Sequence, residues 1–289
     1  MFETLGHYKI LERIGAGDMG EVFRARDTHH GRTVAVQVIV SDVAADPVQR
    51  ARLIEDARIA AALSHPNIAL LYESGEDQDQ LFLVYEYVPG KTLKRTIGGA
   101  PLNPRRAVDL AVQIADALAD AHAAGVVHRN LSSETIMVTP KGNAKVLDFG
   151  LAAWATRGAE REQDETLHQR SDILSLGVVM FEMMTGRLPP AAAAPAPSTQ
   201  NRSLPVELDP IVGRALAPDL NQRYESAATV AAELRSVGAL LDQRSDAQEA
   251  AAPPVTMKPR GSSAGGWIWL LLLFAALAAL AWYARDAIG

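Results

Sequence analysis

The spacing of apolar residues changes once along this chain of 289 residues, near residue 100. Before that point they fall in short β-rich runs, interrupted by one helical pattern. From Pro104 onward the spacing is helical, in segments rich in Ala and Leu. The patterns predict strands over 8–14, 21–26, 33–39, 70–74 and 81–87, and helices over 48–63, 105–124, 171–185, 208–217 and 227–241. A strand-rich half followed by a helix-rich half predicts an α+β fold of two lobes with a cleft between them.

A second feature is the uncharged apolar stretch Trp267–Ala284 near the C-terminus. As a helix, its residues reach about 27 Å, close to the hydrocarbon thickness of a bilayer. Aromatic residues stand at both ends, as they do in spans whose rings lie at the membrane interfaces. We therefore predict one transmembrane helix over 267–284, in contact with the lipid bilayer. Residues 242–266, rich in Ala, Pro, Gln and Ser, are predicted to form a flexible linker before it.

The flanking charges predict an orientation. Lys258 and Arg260 precede the apolar stretch, and only Arg285 follows it, which weakly favours the N-terminal side as cytoplasmic. The first residues also lack the charged start and apolar core of a signal peptide. The expectation is a single-pass protein of the cell membrane whose folded part lies in the cytoplasm.

Composition removes several classes of function. The chain has no cysteine, which excludes a disulfide framework, a thiolate zinc site and a cysteine nucleophile. Its net charge is −6 and it has no basic run, which argues against nucleic acid as a partner.

Short motifs follow one another in a specific order. Gly15–Gly20 is a G-x-G-x-x-G run between two predicted strands, which is not the strand-to-helix setting of a dinucleotide fold. The further motifs are H-P-N-I at 65–68, L-V-Y-E-Y at 83–87, H-R-N-L at 128–131, K-V-L-D-F-G at 145–150 and R-S-D-I-L-S-L-G at 170–177. In this order they resemble the eukaryotic-like serine/threonine protein kinases of bacteria, over residues 8–241. The resemblance implies the bilobal kinase fold, with an N-lobe at 8–88 and a C-lobe at 89–241, and many such kinases also carry a C-terminal membrane span.

The chain departs from that family where the chemistry is done. Active members hold the ATP phosphates with a lysine on the third strand, and Gln37 stands at that position. Asn130 replaces the aspartate that accepts the substrate proton, and losing general-base catalysis costs about 10²–10⁴ in rate. Ser132 replaces a lysine that meets the transferred phosphate, and Thr135 replaces the asparagine that holds a second Mg²⁺. The resemblance therefore implies a degenerate member, a pseudokinase.

Other positions of the family's site are retained. Asp148, in Asp148-Phe149-Gly150, is the position that binds Mg²⁺ in the family. The positions that match the nucleotide-binding set are Ile14, Gly15, Gly17, Gly20, Val22, Ala35, Glu86, Val88 and Met137. An apolar slot accepts an adenine ring without charge, so ATP and Mg²⁺ are expected to bind weakly at most. By the same resemblance, His128, Phe149 and Asp172 brace the lobes from inside, and Tyr85 narrows the back of the pocket.

The activation and docking segments are also altered. Only 23 residues separate Asp148 from Asp172, and the anchoring motif that ends this loop in active relatives is missing. Arg223 matches an arginine that pairs with a glutamate of that motif, for which Glu165 is a candidate replacement. Prolines within 191–200 disfavour a regular helix where relatives have a substrate-docking helix.

Three hypotheses of function follow. The first is a membrane-anchored pseudokinase that acts in signalling as a scaffold or regulator at the cytoplasmic face, requires no cofactor, and binds proteins such as an active kinase, a phosphatase or a membrane complex. The second is a residually active serine/threonine kinase that transfers the ATP γ-phosphate to protein hydroxyls. The third is a non-catalytic nucleotide sensor.

Overall fold

A computed structural model of the chain describes residues 3–17, 19–40, 46–149, 151, 165–191, 193–251 and 272–277. Residues 1–244 form one compact unit and 245–289 a second. Within the first unit, strands dominate up to residue 92 and helices follow, so the predicted two-lobed architecture is confirmed.

The N-lobe is an antiparallel sheet of six strands in the order β1-β2-β3-β4-β6-β5. The strands are β1 Thr4–Leu5, β2 Tyr8–Gly17, β3 Gly20–Asp27, β4 Thr33–Ile39, β5 Leu71–Asp77 and β6 Gln80–Glu86, and helix α1 spans Pro47–Ala60. The N-terminus of α1 is capped by Asp46, whose carboxylate accepts from the backbone N–H groups of Val48 and Gln49, while Pro47 occupies the first turn. All five predicted strands and the predicted helix are present.

The two faces of this sheet have separate apolar clusters. On one face, Val34 and Val36 of β4 pack with Phe23 and Phe82. On the other, Ile39 packs with residues of β6 and of α1. Because strand side chains alternate between faces, Gln37 falls on the second face with Ala35 and Ile39. A polar side chain therefore lies on an otherwise apolar surface.

The C-lobe is built on long helices around one core. Its elements are β7 Lys91–Thr92, α2 Leu93–Ile97, α3 Pro104–Ala123, β8 Ile136–Val138, β9 Ala144–Val146, α4 Glu165–Thr185, α5 Pro197–Gln200, α6 Leu208–Ala215, a 3₁₀ turn at Leu220–Gln222, and α7 Ala227–Ala251. The strands form a small sheet in the order β7-β8-β9. Helix α3 is strongly amphipathic and buries residues such as Leu110, Ile114 and Leu118 against α4.

The linker prediction over 242–266 is wrong at its start, because α7 continues to Ala251. The sequence 242–251 lacks apolar spacing but is rich in Ala and Gln, which favour helix without any tertiary contact. Arg105 of α3 also donates through Nε to Asp242 Oδ1 at 2.6 Å, and Arg244 donates to Glu207 at 2.6 Å. Helix propensity and two surface ion pairs thus extend the helix past its last buried turn.

The predicted transmembrane segment 267–284 lies largely outside the described residues, of which 272–277 are helical. Among the residues that the structure does describe, no helix is both long enough and apolar enough to cross a membrane. The anchor therefore stays a prediction.

The segment after α4 differs from expectation on one point. A single helical turn, α5, forms within the stretch where the prolines disfavoured a helix. Pro197 stands at its first position, where its missing N–H costs nothing. Asp209 of α6 holds this turn by accepting from Ser198 N–H at 2.9 Å and from the Ser198 hydroxyl at 2.5 Å.

A candidate nucleotide cleft with altered polar groups

The structure distributes the predicted site residues over both lobes. In the N-lobe, β2 carries Ile14, Gly15 and Gly17, β3 carries Gly20 and Val22, and β4 carries Ala35 and Gln37. Strand β6 ends at Glu86, and Val88 follows it. In the C-lobe, the loop between α3 and β8 carries Asn130, Ser132 and Thr135, β8 carries Met137, and Asp148 follows β9. The site residues therefore lie on both lobes, as the resemblance implied.

The glycine-rich turn joins β2 to β3. Gly20 has a φ of +143°, and a Cβ there would lie 1.7 Å from the carbonyl oxygen of Val38, so only glycine fits. A Cβ on Gly15 would meet nothing within 4 Å. Met19 is buried, and its carbonyl accepts from Val40 N–H at 2.9 Å. The close approach of β4 thus explains Gly20, the third glycine of the motif. The hydrogen bond between Met19 and Val40 fixes the tip of the turn against β4.

The apolar surface expected to face adenine is present. Val22, Ala35 and Met137 are half-buried, and Val88 is buried. Ile14 is 44% exposed, more than a residue that covers a closed pocket would be. The surface therefore keeps accessible apolar area on both lobes.

Glu86 has a role that the motif did not indicate. Its backbone N–H donates to the carbonyl of Leu70 at 2.8 Å, so that N–H is already taken. Its side chain binds Lys145 Nζ of β9 at 2.7 Å, and Lys145 also donates to the carbonyl of Ile68 at 3.1 Å. This ion pair joins the last strand of the N-lobe to the C-lobe. The only sequence signal for it was the opposite charge of two residues 59 positions apart.

Gln37, at the position of the family's lysine, is only 6% exposed. Its side-chain oxygen is buried and finds no hydrogen-bond donor within the described part of the chain, and the same holds for the Tyr85 hydroxyl. On α1, where the family has a glutamate that pairs with the lysine, Asp56 is half-buried and Glu55 is exposed. An unpaired buried acceptor costs about 1–3 kcal/mol of folding free energy. The Gln37 side-chain oxygen therefore destabilises the fold at this position.

Asp148 carries the clearest electrostatic signature in the cleft. Burial raises the pKa of its carboxyl group to about 6. Its charge in turn contributes to raising the pKa of the Tyr85 hydroxyl, after the larger effect of burial. No cation in the described ranges lies close enough to oppose the shift at Asp148. The one retained metal-binding position thus has a carboxylate that the protein does not stabilise in its charged form.

The loop between α3 and β8 uses its polar groups internally. The Thr135 hydroxyl donates to the carbonyl of Ser132 at 3.1 Å and accepts from Ser132 N–H at 3.0 Å. The Ser132 hydroxyl accepts from Glu134 N–H at 3.3 Å. Asn130 is exposed, and its backbone N–H donates to His128 Nδ1 at 3.3 Å. Ser132 and Thr135 therefore stabilise the loop, whereas Asn130 presents its amide at the surface.

His128, Phe149 and Asp172, which were expected to brace the lobes, form a cluster whose contacts lie within the C-lobe. Asp172 of α4 is fully buried and accepts from the backbone N–H groups of His128 and Arg129, each at 2.7 Å. His122 Nε2 lies 2.8 Å from the same carboxylate. The His128 ring meets the Phe149 ring edge-on at 4.8 Å, and burial lowers the pKa of His128. These contacts hold the loop that carries Asn130 against α4 and against Phe149.

Arg223 does not need the glutamate proposed for it. Its guanidinium donates to the carbonyl of Ala217 through Nε at 3.0 Å and through Nη2 at 2.8 Å. Nη1 donates to the carbonyl of Arg170 at 2.9 Å. Three bonds to carbonyl oxygens replace the carboxylate, and burial lowers the pKa of this guanidinium. The side chain of Glu165 lies outside the described residues.

Leu151 is a residue that the sequence reasoning missed. It is fully buried in the same apolar cluster as Met19, Tyr85 and Leu53 of α1. The residue that follows the Asp-Phe-Gly motif thus packs against the N-lobe, beside the tip of the glycine-rich turn. Its apolar character was the only signal available from the sequence.

These residues fit one part of ATP and not the other. The half-buried apolar side chains fit an adenine ring, because a ring needs no charge. The phosphates and Mg²⁺ need cations and several oxygen ligands, whereas Gln37 is neutral and the Thr135 hydroxyl is committed to its own loop. Asp148 alone is a poor site for a divalent ion. The arrangement does not fit the Mg²⁺–ATP complex used in phosphoryl transfer.

The strand-rich lobe, the glycine-rich turn, the helical lobe and the Asp-Phe-Gly segment together define the protein kinase fold. Residues 8–203 match the family model of the protein kinase domain. The chain belongs to the protein kinase family, and its domain is of the bacterial serine/threonine type.

Individual relatives agree with this assignment. The chain is 33% identical to serine/threonine-protein kinase PrkC of Bacillus subtilis over 80% of its length, and 33% identical to serine/threonine-protein kinase PknB of Mycobacterium tuberculosis over 78%. It covers 40% and 42% of those two proteins. The crystal structure of the Mycobacterium tuberculosis PknI kinase domain superposes with a TM-score of 0.67 at 25% identity, covering 81% of this chain and 97% of that one. The chain thus spans less than half the length of the curated relatives it matches.

Proposed function

We propose that this protein is a membrane-anchored pseudokinase that regulates or scaffolds signalling proteins at the cytoplasmic face. Residues 267–284 supply the anchor, and the kinase domain supplies a protein-binding surface. Partners of the expected kind are an active kinase, a phosphatase or another membrane complex. Capture from detergent-solubilised membranes is the experiment that identifies them.

The observation that carries the proposal is the uncompensated charge of the cleft. The pKa of Asp148 is raised to about 6, and the β4 residue that would supply a cation in an active kinase is the neutral Gln37. Asn130, at the base position, is an amide and does not accept a proton near neutral pH. Both the electrostatic and the proton-transfer parts of catalysis are therefore missing.

Transfer of labelled phosphate from ATP to a generic protein substrate tests the proposal. For the purified full-length chain with Mg²⁺, we expect no incorporation above that of the Asp148→Ala variant. An active bacterial serine/threonine kinase in the same buffer serves as the positive control. Robust transfer that Asp148→Ala abolishes would overturn the proposal in favour of a residually active kinase.

The double variant Gln37→Lys with Asn130→Asp asks what else is missing. It restores the cation and the base, and base catalysis alone is worth about 10²–10⁴ in rate. We expect little activity even so, because Ser132 and Thr135 close their own loop and the activation segment is short. Strong recovery would show that the loss of activity comes from two residues alone.

Nucleotide sensing without catalysis is the second candidate, and the accessible apolar surface of Val22, Ala35 and Met137 favours it. A ligand at 100 times its dissociation constant stabilises by about 2.7 kcal/mol, or roughly 5–10 °C in Tm. Under the leading proposal we expect a flat thermal response to millimolar ATP. Because the phosphates have no cationic partner, any rise in Tm should be as large with adenosine as with ATP. A large rise in Tm that occurs only with Mg²⁺–ATP would instead support the sensor.

A further inference from the structure

Three of the chain's seven histidines lie together at one edge of the N-lobe sheet, outside the cleft. His29 and His30 occupy the turn between β3 and β4, and His7 precedes β2. The His7 and His29 rings stack with centroids 4.0 Å apart. Both the His7 carbonyl and the turn are held in place, because the carbonyl accepts from the Thr28 N–H at 3.2 Å and from its hydroxyl at 2.7 Å.

Asp27, the last residue of β3, lies at the centre of this group and is fully buried. Its Oδ1 accepts from the backbone N–H groups of His29 at 3.0 Å and His30 at 2.9 Å. Its Oδ2 lies 2.9 Å from His30 Nδ1 and 3.1 Å from Arg32 Nε. These contacts outweigh burial and hold the pKa of the carboxyl group well below its ordinary value. The two backbone N–H groups hold the carboxylate in this orientation whichever ring nitrogen of His30 carries the proton.

His7 contributes a nitrogen that has no other use. Its Nε2 is buried and has no hydrogen-bond partner within the described ranges. The same atom lies 3.6 Å from Asp27 Oδ1, too far for a good hydrogen bond. A buried ring nitrogen that faces an ionised carboxylate without bonding to it leaves room for an ion between them.

We infer that His7 Nε2, the Asp27 carboxylate and His30 Nδ1 form a site for a divalent transition-metal ion such as Zn²⁺. One ligand atom from each of the three residues can be chosen so that all lie within 4.8 Å of one another. Zn²⁺ binds His nitrogens and carboxylate oxygens at about 2.0–2.2 Å, and sites with two His and one carboxylate keep a fourth position for water. Tetrahedral ligand atoms at those lengths are about 3.4 Å apart. The two histidine nitrogens, which lie 3.6 Å and 2.9 Å from the Asp27 oxygens, need only small side-chain movements to reach that separation.

The surroundings allow a cation despite one neighbouring positive charge. Arg32 bonds Asp27 Oδ2, and its guanidinium also stacks over the Tyr72 ring at 3.6 Å. Glu73, which bonds the Tyr8 hydroxyl, adds negative charge nearby. His30 Nδ1 must be free of its proton, which then resides on Nε2 of a side chain that is 65% exposed to water. The site is structural or regulatory, since it lies on the far end of β2 and β3 from the glycine-rich turn.

Calorimetric titration of the full-length chain, purified without a histidine tag, tests the inference with ZnCl₂ as the probe. We expect one Zn²⁺ per chain near neutral pH, and no binding of MgCl₂, because Mg²⁺ prefers an all-oxygen ligand set. His30→Gln alone, on an exposed side chain, is expected to fold and to weaken Zn²⁺ binding at least about tenfold. His7→Gln with His30→Gln is expected to abolish it.

His29→Gln is the matched control, since this neighbouring residue offers no ligand atom to the cluster. We expect it to keep the affinity of the wild type within about threefold. Absence of Zn²⁺ binding to the wild type, or affinity unchanged in His30→Gln, would overturn the inference. Equal loss in His29→Gln would also overturn it, because the ion would then use a different set of ligands.

Discussion

Replacing Asp172 by alanine is expected to lower the free energy of unfolding by about 3–5 kcal/mol. The variant leaves the backbone N–H groups of His128 and Arg129 without the carboxylate that they bond at 2.7 Å. Asp172 and His128 are fully buried, so the bond between them lies in the interior. For a domain of this size the loss corresponds to a fall of roughly 10 °C in Tm, which urea and thermal denaturation measure directly.

Asp116→Ala is the matched control for that prediction. Asp116 accepts from Arg235 Nη2 at 2.6 Å at the surface of the C-lobe, and exposed pairs contribute about 0–1 kcal/mol. The loss of unfolding free energy in Asp172→Asn should lie between those of Asp116→Ala and Asp172→Ala. The asparagine oxygen can accept from one of the two N–H groups, whereas its NH₂ group faces the other. A loss below about 1 kcal/mol in Asp172→Ala would mean that the brace between α4 and the loop is not a stabilising element.

The second large effect is a gain of stability on removing a retained site residue. Asp148→Asn is expected to raise the free energy of unfolding by about 3 kcal/mol near pH 7.5. The pKa of Asp148 is raised to about 6 from the ordinary value of 3.8, so ionisation above pH 6 costs the folded state more than the unfolded one. In the variant this cost is absent. In an active kinase the same change would remove a metal ligand and gain nothing.

The pH dependence of this gain has a definite sign. A folded-state pKa above the unfolded one means that the wild type recovers stability as the pH falls through about 6. The difference in unfolding free energy between Asp148→Asn and the wild type should therefore shrink as the pH falls from about 6 to about 4. Denaturation at several pH values measures this difference. Asp79→Asn is the control, because Asp79 has the same φ of +59° but is exposed. A less stable Asp148→Asn at neutral pH would show that a cation compensates Asp148.

Much of the fold was predictable from local pattern. The strands of the N-lobe and helices such as α3 come from apolar spacing, which is read within a window of a few residues. The site positions came from the order of the motifs, and the structure places them on strands and loops of both lobes. The end of α7 was misjudged because Ala and Gln form helix without leaving an apolar stripe.

The contacts that the sequence did not reveal join distant residues. Lys145 and Glu86 are 59 positions apart, and Arg223 takes three carbonyl contacts where a carboxylate was expected. Leu151 packs against α1 although nothing in its neighbourhood indicates which lobe it joins. Such pairings depend on how elements approach one another, and spacing along the chain carries no information on that approach.

The sequence by itself determined that this protein has a kinase-type fold and that its lysine and base positions are held by Gln37 and Asn130, because identity at a motif position is a local property. Only the tertiary structure decided how the replaced lysine and base change the burial and the electrostatics of the site. It buried the Gln37 oxygen without a donor among the described residues and left Asp148 with a raised pKa. It also brought His7 and His30 to one carboxylate, because antiparallel pairing of β2 with β3 places Tyr8 opposite Asp27. Electrostatic free energy depends on distance and burial, and both are set only once the chain has folded.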